Sequence, residues 1–238
     1  MNKNNVWFIT AKTNLHVGNE NTSSYGLIDL AVQRNVTTGL PCINSSSLKG
    51  ALNEFATQEL GMDEQSLIKI FGCDKKGRCK DTQKGQYTFF DANILFLPVQ
   101  DGNSLYHLET SHDVIARFRN QMLMFDVELN ENDEALANEL KTTLGISKEV
   151  KIIENDADFV DLCSDDNLPI IARNVLENGE SKNLWYEQVV PAETVFYTLI
   201  DDKQDGTLFG ELSMPNAIVQ IGANATIGYG YCKFTNLR

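Results

Sequence analysis

The chain has 238 residues, of which 42% are hydrophobic, and its formal net charge at pH 7 is −13. This length allows one large domain with sizeable insertions, and no apolar run approaches the roughly 20 residues of a membrane-spanning helix. The N-terminal residues lack the apolar segment of a secretory signal, so we expect a cytoplasmic protein with no membrane partner.

The negative charge is concentrated in one segment and argues against a free-standing nucleic-acid binder. Residues 126–166 contain 13 acidic and 3 basic residues, a local charge of −10, whereas residues 1–125 contain 12 of each. A solvated face that keeps the protein soluble is the simplest interpretation. The alternative is a peripheral segment that faces another subunit, away from any RNA-binding groove. The five cysteines include no Cys-x-x-Cys motif, and their odd number argues against a disulfide framework.

The N-terminal half predicts a strand followed by two helices and a second strand. Val6–Ala11 is rich in aromatic and β-branched residues and predicts the first strand. The serines at 45–47 are suited to cap a helix, because apolar residues then follow at helical spacing up to Phe55. A short helix is predicted at Glu64–Phe71, and a buried strand at residues 88–97.

The C-terminal half predicts two more helices and several strands. Apolar spacing indicates a helix after Ser111, its possible cap, and another that ends at Gly145. Two strand-like runs flank Asn178-Gly179, which is a strong signal for a hairpin turn. Strands and helices are interspersed without regular βαβ alternation, so we expect an α+β sheet with helices on one face and long insertions.

Two segments at opposite ends of the chain are suited to contact a phosphate backbone. Ser46, Ser47, Lys49 and Gly50 lie at the start of the first helix, where free N–H groups and the helix dipole favour anions. The glycine-rich segment 222–230 matches no nucleotide-binding motif. Its backbone N–H groups could approach a phosphate, or its glycines could serve a tight hairpin that needs positive φ. An ordinary serine cap beside a solvent lysine remains the alternative for the helix start.

Asp29 and His16 are candidates for chemistry. Asp29 lies in a mostly apolar stretch and could hold a divalent cation near a phosphate, although an aspartate that caps a turn is commoner. His16 could transfer a proton, although a buried structural histidine is commoner. The sequence contains neither a Ser-His-Asp set nor the metalloprotease motif H-E-x-x-H.

Together these segments resemble the RAMP superfamily of CRISPR-associated RNA-binding proteins. The likeness is greatest to the repeated backbone subunit of the type III-B (Cmr) effector complex. The matching segments run in the family's order: Leu15-His16-Val17-Gly18; Asp29 with Gln33-Arg34; Thr38-Gly39-Leu40-Pro41; Ser46-Ser47-Leu48-Lys49-Gly50-Ala51-Leu52; Phe90 to Val99; Leu184-Trp185-Tyr186-Glu187; Pro191-Ala192-Glu193-Thr194; and the glycine-rich end. Each motif is weak alone, and their combination is specific.

The resemblance implies one RAMP domain over residues 1–238. Its palm would be ferredoxin-like, of the RRM type, with insertions at about 62–166 and a projecting β-hairpin thumb at about 170–188. Copies of such a subunit stack along a CRISPR guide RNA as a helical filament, together with other type III effector subunits. The thumb wedges into the duplex of guide and single-stranded target RNA and displaces a base pair at regular intervals.

The resemblance also implies a site. The Asp29 loop corresponds to the family's cleavage loop, where an aspartate supports cutting of target RNA with a divalent metal ion, Mg²⁺ or Mn²⁺. The expected reaction is attack by the neighbouring 2′-OH on the phosphodiester. Asp29 would be the catalytic and metal-binding residue, and His16 and Glu193 are weaker catalytic candidates. The implied RNA-binding residues are Arg34, Ser46, Ser47, Lys49, Gly50, Arg173, Gly222 and Gly228.

Two departures from the family pattern bear on local backbone geometry: Asn44-Ser45 stands where Pro-Gly is usual, and Gly222-Ala223 where Gly-Gly is common. Three other functions stay open. The chain could be a filament scaffold without catalytic activity, the equivalent type III-A subunit, or a guide-processing RAMP nuclease. Asp29 favours the target nuclease over the scaffold, and the hairpin argues against guide processing.

Overall fold

The computed structural model of the chain describes residues 5–18, 28–73, 81–102, 104–203, 206–212, 214 and 217–237. Its strands are β1 (Val6–Ala11), β2 (Cys42–Ile43), β3 (Gly72–Cys73), β4 (Gln83–Lys84), β5 (Thr88–Phe89), β6 (Ala92–Val99), β7 (His107–Ser111), β8 (Val150–Ile153), β9 (Ile170–Glu177), β10 (Glu180–Gln188), β11 (Val195–Asp201), β12 (Ile218–Gln220) and β13 (Tyr231–Asn236). Its helices are α1 (Ser45–Gln58), α2 (Glu64–Phe71), α3 (His112–Leu123), α4 (Asp133–Leu144), α5 (Asp156–Leu162) and α6 (Thr207–Leu212).

A nine-stranded sheet forms the centre of the molecule. Its main path runs β12-β13-β1-β11-β6-β7-β8, while β2 pairs with β6 and β5 pairs with β11. Neighbouring strands are antiparallel except β7 and β8, which are parallel. All six residues of β1 are buried, because this strand is paired on both edges and covered on both faces. The predicted α+β class is confirmed.

Helices cover both faces of this sheet, so the prediction of helices on one face is wrong. On one face, the Phe118 ring of α3 packs against Phe8 of β1 and Tyr197 of β11. On the other, α1 lies against β12, where Val219 is buried while its neighbour Ile218 is exposed. The pairing of β1 with β13 and of β13 with β12 places Ile218 on the same face as Phe8. Because successive residues of a strand point to opposite faces, Val219 and α1 lie on the other face. Helix α3 therefore adds a third layer that the sequence pattern did not indicate.

The predicted hairpin is confirmed and projects from the body. Strands β9 and β10 form their own two-stranded antiparallel sheet. Asn178 and Gly179 connect them with φ values of 53° and 85°, the left-handed conformation that a tight hairpin turn requires. Every residue from 174 to 184 is exposed, whereas Glu187 and Gln188 at the base are buried.

Most helix ends match the prediction, with one exception. The Ser111 hydroxyl accepts a hydrogen bond from the Val114 N–H at the start of α3, and Gly145 ends α4 with a φ of 65°. The predicted serine cap of α1 is wrong, because the serines lie inside the helix and its N-cap residue makes no side-chain hydrogen bond. Instead, the Asp91 carboxylate accepts from the Ser45 N–H at 2.7 Å.

Two further observations concern membrane helices and cysteines. Within the described parts of the chain, no helix combines the length and apolarity needed to cross a bilayer. Cys42, Cys163 and Cys232 are buried free thiols, whereas Cys73 is disulfide-bonded. The cysteine pattern in the sequence argues against a disulfide framework, and it does not single out the bond at Cys73.

Candidate functional site

Asp29 lies where the N-terminal loop meets the base of the hairpin. Its Oδ2 accepts a hydrogen bond from the Tyr186 backbone N–H at 2.7 Å, and its own N–H donates to the Tyr186 carbonyl at 3.0 Å. Leu30 then forms a parallel bridge with Glu187. The residue is exposed, and no described group donates to its second carboxylate oxygen. One oxygen therefore fixes the loop to β10, and the other is available to a ligand.

His16 holds the same strand from inside the protein. The residue is 3% exposed, and its Nδ1 lies 2.7 Å from the carbonyl oxygen of Gln188. Because a carbonyl only accepts, Nδ1 carries the proton in this contact. Asp29 and His16 thus bind backbone groups of Tyr186 and Gln188, two residues apart on β10. The structure brings the two sequence candidates to one junction, with Asp29 outside and His16 buried.

Glu187 is a buried carboxylate that sequence analysis did not single out. It is 2% exposed, and its Oε1 accepts a hydrogen bond from the Asn224 side-chain amide of the glycine-rich loop. Its Oε2 lies 3.6 Å from the Arg173 Nε, which is an ion pair beyond hydrogen-bond distance. The Arg173 guanidinium in turn stacks over the Tyr229 ring at 4.6 Å. These contacts join β9, β10 and the glycine-rich loop, so Arg173 is held at the hairpin base.

The glycine-rich loop packs directly on His16. The Ala223 N–H donates to the His16 carbonyl at 2.9 Å, and a Cβ on Gly222 would stand 2.2 Å from that carbonyl oxygen. Gly222 and Gly228 have φ values of 83° and 84°. Open space surrounds the Cβ position of Gly228, so only its backbone conformation favours glycine there. The loop geometry supports the tight-turn interpretation of these glycines.

The start of α1 is connected to this junction by Gln33. The Gln33 amide donates to the Ser47 hydroxyl at 3.0 Å and to the Gly18 carbonyl at 3.2 Å, and its carbonyl accepts from the Asn44 N–H. Ser46 and Gly50 are exposed, and Lys49 is half-buried without a described carboxylate partner. One polar side chain therefore sets the position of the helix start relative to the loop that leads to Asp29.

Comparison with known proteins identifies the family. The family model of the RAMP superfamily matches residues 8–233. The chain belongs to the RAMP superfamily.

Individual relatives are consistent with this membership. The CRISPR system Cmr endoribonuclease Cmr4 of Pyrococcus furiosus is 29% identical over 266 aligned positions, which cover 88% of this chain and 88% of that protein. The crystal structure of oligomeric Cmr4 from Pyrococcus furiosus superposes with a TM-score of 0.70 at 23% identity, covering 97% and 96% of the two chains. A chain of the cryo-EM structure of type III-B Cmr-beta bound to cognate target RNA gives a TM-score of 0.70 at 20% identity, covering 97% and 95%. The two structures establish a shared fold.

Within this RAMP fold, Arg34 is occupied by protein contacts. Its Nη2 and Nε donate to one Asp165 carboxylate oxygen at 2.6 and 3.0 Å, and its Nη1 donates to the carbonyls of Gly39 and Cys163. A guanidinium with four such bonds is fixed in place. For Arg34 to bind RNA as predicted, it would have to exchange some of these partners.

Glu193 lies in a different environment from the other catalytic candidates. Its carboxylate pairs with the Lys12 ammonium at 3.0 Å, and no described contact joins it to Asp29 or His16. Asp29 is not part of a cluster of metal ligands. Among the described residues, no group of three or more His, Cys, Asp or Glu side chains is arranged to hold a metal ion. A cation at Asp29 would need water and substrate oxygens as its other ligands.

The residues that sequence reasoning missed are polar groups inside an apolar run. Glu187 and Gln188 follow three exposed or half-buried hydrophobic residues and precede Val189 and Val190. A buried carboxylate and amide in such a run need partners, which is a usable signal. The identity of those partners, such as Asn224, depends on the fold.

Proposed function

We propose that this chain is a backbone subunit of a cytoplasmic type III-B CRISPR effector complex and cuts bound target RNA in its Asp29 loop. The observation that carries the proposal is Asp29, an exposed carboxylate anchored to the base of a projecting hairpin. The homologous Pyrococcus furiosus protein, which is named an endoribonuclease, supports the reaction class. The subunit would act together with copies of itself, other type III subunits, a guide RNA and a single-stranded target.

The palm is inferred from strand order. The four strands β13-β1-β11-β6 are adjacent and antiparallel in the sheet. Along the chain their order is β1, β6, β11 and β13, with α1 between β1 and β6 and with α6 between β11 and β13. This is the order and succession of a ferredoxin-like βαββαβ unit. Phe118 of α3 covers Phe8 and Tyr197 on the face where an RRM stacks bases. The guide RNA would therefore follow another surface.

That surface is the start of α1. The helix N-terminus combines the hydroxyl of the exposed Ser46, the ammonium of Lys49, which has no carboxylate partner among the described residues, and the backbone at Gly50. Helix N-termini favour phosphate, because their first N–H groups and the helix dipole present positive charge. We assign this region to the guide backbone.

The hairpin is suited to act as the thumb. One of its faces carries the exposed hydrophobic side chains Leu176, Leu184 and Tyr186, which cross-strand pairing places on the same side as Ile170. Apolar wedges of this kind can be inserted between base steps of a duplex. A wedge at the Tyr186 end would unstack a target nucleotide next to Asp29, because Asp29 is hydrogen-bonded to Tyr186.

The proposed cleavage is an internal transfer at phosphorus. A bond forms from the 2′-oxygen to phosphorus while the bond from phosphorus to the 5′-oxygen breaks. The 2′-hydroxyl loses a proton and the departing 5′-oxygen gains one, which gives a 2′,3′-cyclic phosphate and a 5′-hydroxyl. The available Asp29 oxygen orients the attacking hydroxyl, and His16, which is buried, positions β10 rather than exchanging protons with RNA.

A divalent metal ion, which the family resemblance implies, fits one feature of the site. Mg²⁺ binds through one or two carboxylates and keeps several waters and substrate phosphate oxygens. The free oxygen of Asp29 can be the protein ligand of such an ion, which would neutralise charge at the phosphate when bound. Glu187 is already committed to Asn224 and Arg173, so it is not available as a second ligand.

The test separates chemistry from architecture by comparing Asp29→Asn with Asp29→Ala. An asparagine oxygen can still accept from the Tyr186 N–H, whereas alanine cannot. We expect the complex with guide RNA, complementary RNA and Mg²⁺ or Mn²⁺ to give evenly spaced products. The Asp29→Asn complex should bind the target normally and cut it at about one hundredth of the wild-type rate or below. The matched control is Asp166→Asn, an exposed aspartate without a described partner. Undiminished cutting by Asp29→Asn would overturn the assignment.

The second candidate function is a scaffold without nuclease activity. It is favoured by the Asp29–Tyr186 hydrogen bond, because that contact gives the carboxylate a structural use. Under this alternative, the wild-type complex binds target without cutting it, and Asp29→Ala impairs assembly while Asp29→Asn does not.

A further inference from the structure

A second concave site lies on the sheet face that also carries α3. The cavity has a volume of about 260 Å³ and opens between the strands and residues 144–148, the turn after α4. Its floor is a row across three strands, in which Thr10 of β1 is paired with Lys233 of β13 and Val195 of β11. Neither Asp29, His16 nor the start of α1 lines it, so it is separate from the proposed cleavage site.

The cavity is positively charged although the chain as a whole carries −13. Lys12, Lys148 and Lys233 line it, against a single carboxylate from Glu193. Glu193 pairs with Lys12 at 3.0 Å, and no described carboxylate pairs with the other two lysines. A concave surface with excess positive charge and low-dielectric walls concentrates anions.

An aromatic ring and hydroxyl groups complete the lining. Tyr106 borders the cavity, and the Lys148 ammonium lies 5.0 Å from the centre of its ring. Burial and the Glu193 carboxylate raise the pKa of the Tyr106 hydroxyl, so it remains a donor at neutral pH. The hydroxyls of Thr10 and Thr235 add further polar groups. A cationic surface beside an aromatic side chain is the combination with which proteins bind the units of a single-stranded nucleic acid.

Glu193 adopts a backbone conformation that its residue type disfavours. Its φ is 71°, in the left-handed region where glycine and asparagine are usual, and its N–H donates to the Ala11 carbonyl at 2.6 Å. Such conformations persist where the surroundings impose them and are concentrated at ligand sites. Glu193, which has this conformation, supplies a carboxylate acceptor to a cavity whose other charged groups are lysines.

We propose that this cavity binds a ribonucleotide, either free or as one unit of a single-stranded RNA. Lys148 and Lys233 hold the phosphate, Tyr106 contacts the base, and the Glu193 carboxylate accepts a hydrogen bond from a ribose hydroxyl. The carboxylate favours an anion that also carries a hydroxyl donor. A ribonucleotide supplies ribose hydroxyls to it, whereas the side chains of a glutamate-rich peptide offer only further carboxylates.

The experiment titrates the purified full-length chain with AMP, dAMP and a single-stranded RNA of about ten nucleotides. The variants are Lys148→Ala and Lys233→Ala, and the matched control is Lys151→Ala, a lysine of β8 that does not line the cavity. We expect the two cavity variants to weaken AMP binding about fivefold or more and the control to leave it within about twofold. Lys233→Arg should retain binding, which shows that the charge is responsible and that the fold is intact.

The outcomes distinguish the sources of the nucleotide. AMP binding without tighter RNA binding identifies a free nucleotide, and RNA binding that weakens with both lysine variants identifies an RNA unit. Glu193→Gln should reduce the preference for AMP over dAMP, and Asp29→Asn should leave AMP binding unchanged. The proposal is overturned by a wild-type chain that binds neither probe, by equal losses in Lys151→Ala, or by a glutamate-rich peptide that binds where AMP does not.

Discussion

At the residue scale, the His16 backbone carbonyl is a point of close approach between separate segments of the chain. It accepts a hydrogen bond from the Ala223 N–H, while the His16 ring binds the Gln188 carbonyl. The residue therefore links the N-terminal loop to both the glycine-rich loop and the hairpin base. Its burial makes it more important to the geometry around Asp29 than to proton transfer.

Gly222→Ala tests this close approach. The new Cβ would stand 2.2 Å from the His16 carbonyl oxygen, at a residue with a φ of 83°. The left-handed conformation and the steric conflict together should lower the free energy of unfolding by about 2–4 kcal/mol. Urea unfolding measures this value.

Gly228→Ala is the control for that substitution. Gly228 has nearly the same φ, 84°, but open space where its Cβ would lie. It should lose only the conformational part, about 1 kcal/mol. Equal losses at the two glycines would mean that the contact with His16 contributes nothing.

At the element scale, features with local signals were predictable and features that depend on distant partners were not. The hairpin turn at Asn178-Gly179 and the bounds of α2 follow from residues within each segment. The acceptor for the first N–H of α1 is Asp91, which lies 46 residues after Ser45. The anchor of Asp29 is Tyr186, which lies 157 residues away. Sequence analysis could thus name Asp29 and the start of α1, but not the contacts that position them.

Contacts between residues that are distant in sequence also hold α4 against α3. The Asp133 carboxylate at the start of α4 contacts both the His112 Nδ1, at 2.5 Å, and the Arg119 guanidinium of α3. The hydrogen bond that the His112 ring donates to the Asp133 carboxylate raises the pKa of His112 above its ordinary value of 6.5. Burial raises the pKa of Asp133, but hydrogen bonds from His112 and Arg119 outweigh it and leave that pKa lowered.

The His112 contribution should depend on pH. Because the folded pKa is raised, the stabilisation is fully present below the unfolded pKa of about 6.5 and is lost as the pH rises through the folded value. The stability difference between wild type and His112→Gln should therefore shrink between about pH 6 and pH 9, measured by urea unfolding. The difference for Arg119→Gln should stay constant over that range, because arginine keeps its charge. A His112→Gln difference that is constant with pH would contradict the assignment.

At the scale of the whole molecule, the central sheet and the helices α4 and α5 share one continuous core. Buried side chains of β1 and β13 belong to the same cluster as those of α4 and α5. The resemblance to RAMP proteins predicts a single domain, and a shared core of this kind should unfold as one cooperative unit. The sheet and these helices would then lose their structure together.

Two of the free cysteines among the described residues can test this cooperativity because they lie in different parts of the fold. Cys232 is in strand β13 of the central sheet, and Cys163 follows α5. Burial raises the pKa of both thiols to about 12, so neither reacts readily in the folded protein. Under non-reducing conditions and in mild urea, iodoacetamide should label the two cysteines at the same rate, as measured by mass spectrometry of peptides. Faster labelling of Cys163 would show that the region around α5 opens independently of the central sheet. The hairpin base would then be subject to that motion, because the Gln188 side-chain amide donates to the Asp165 carboxylate at 3.1 Å.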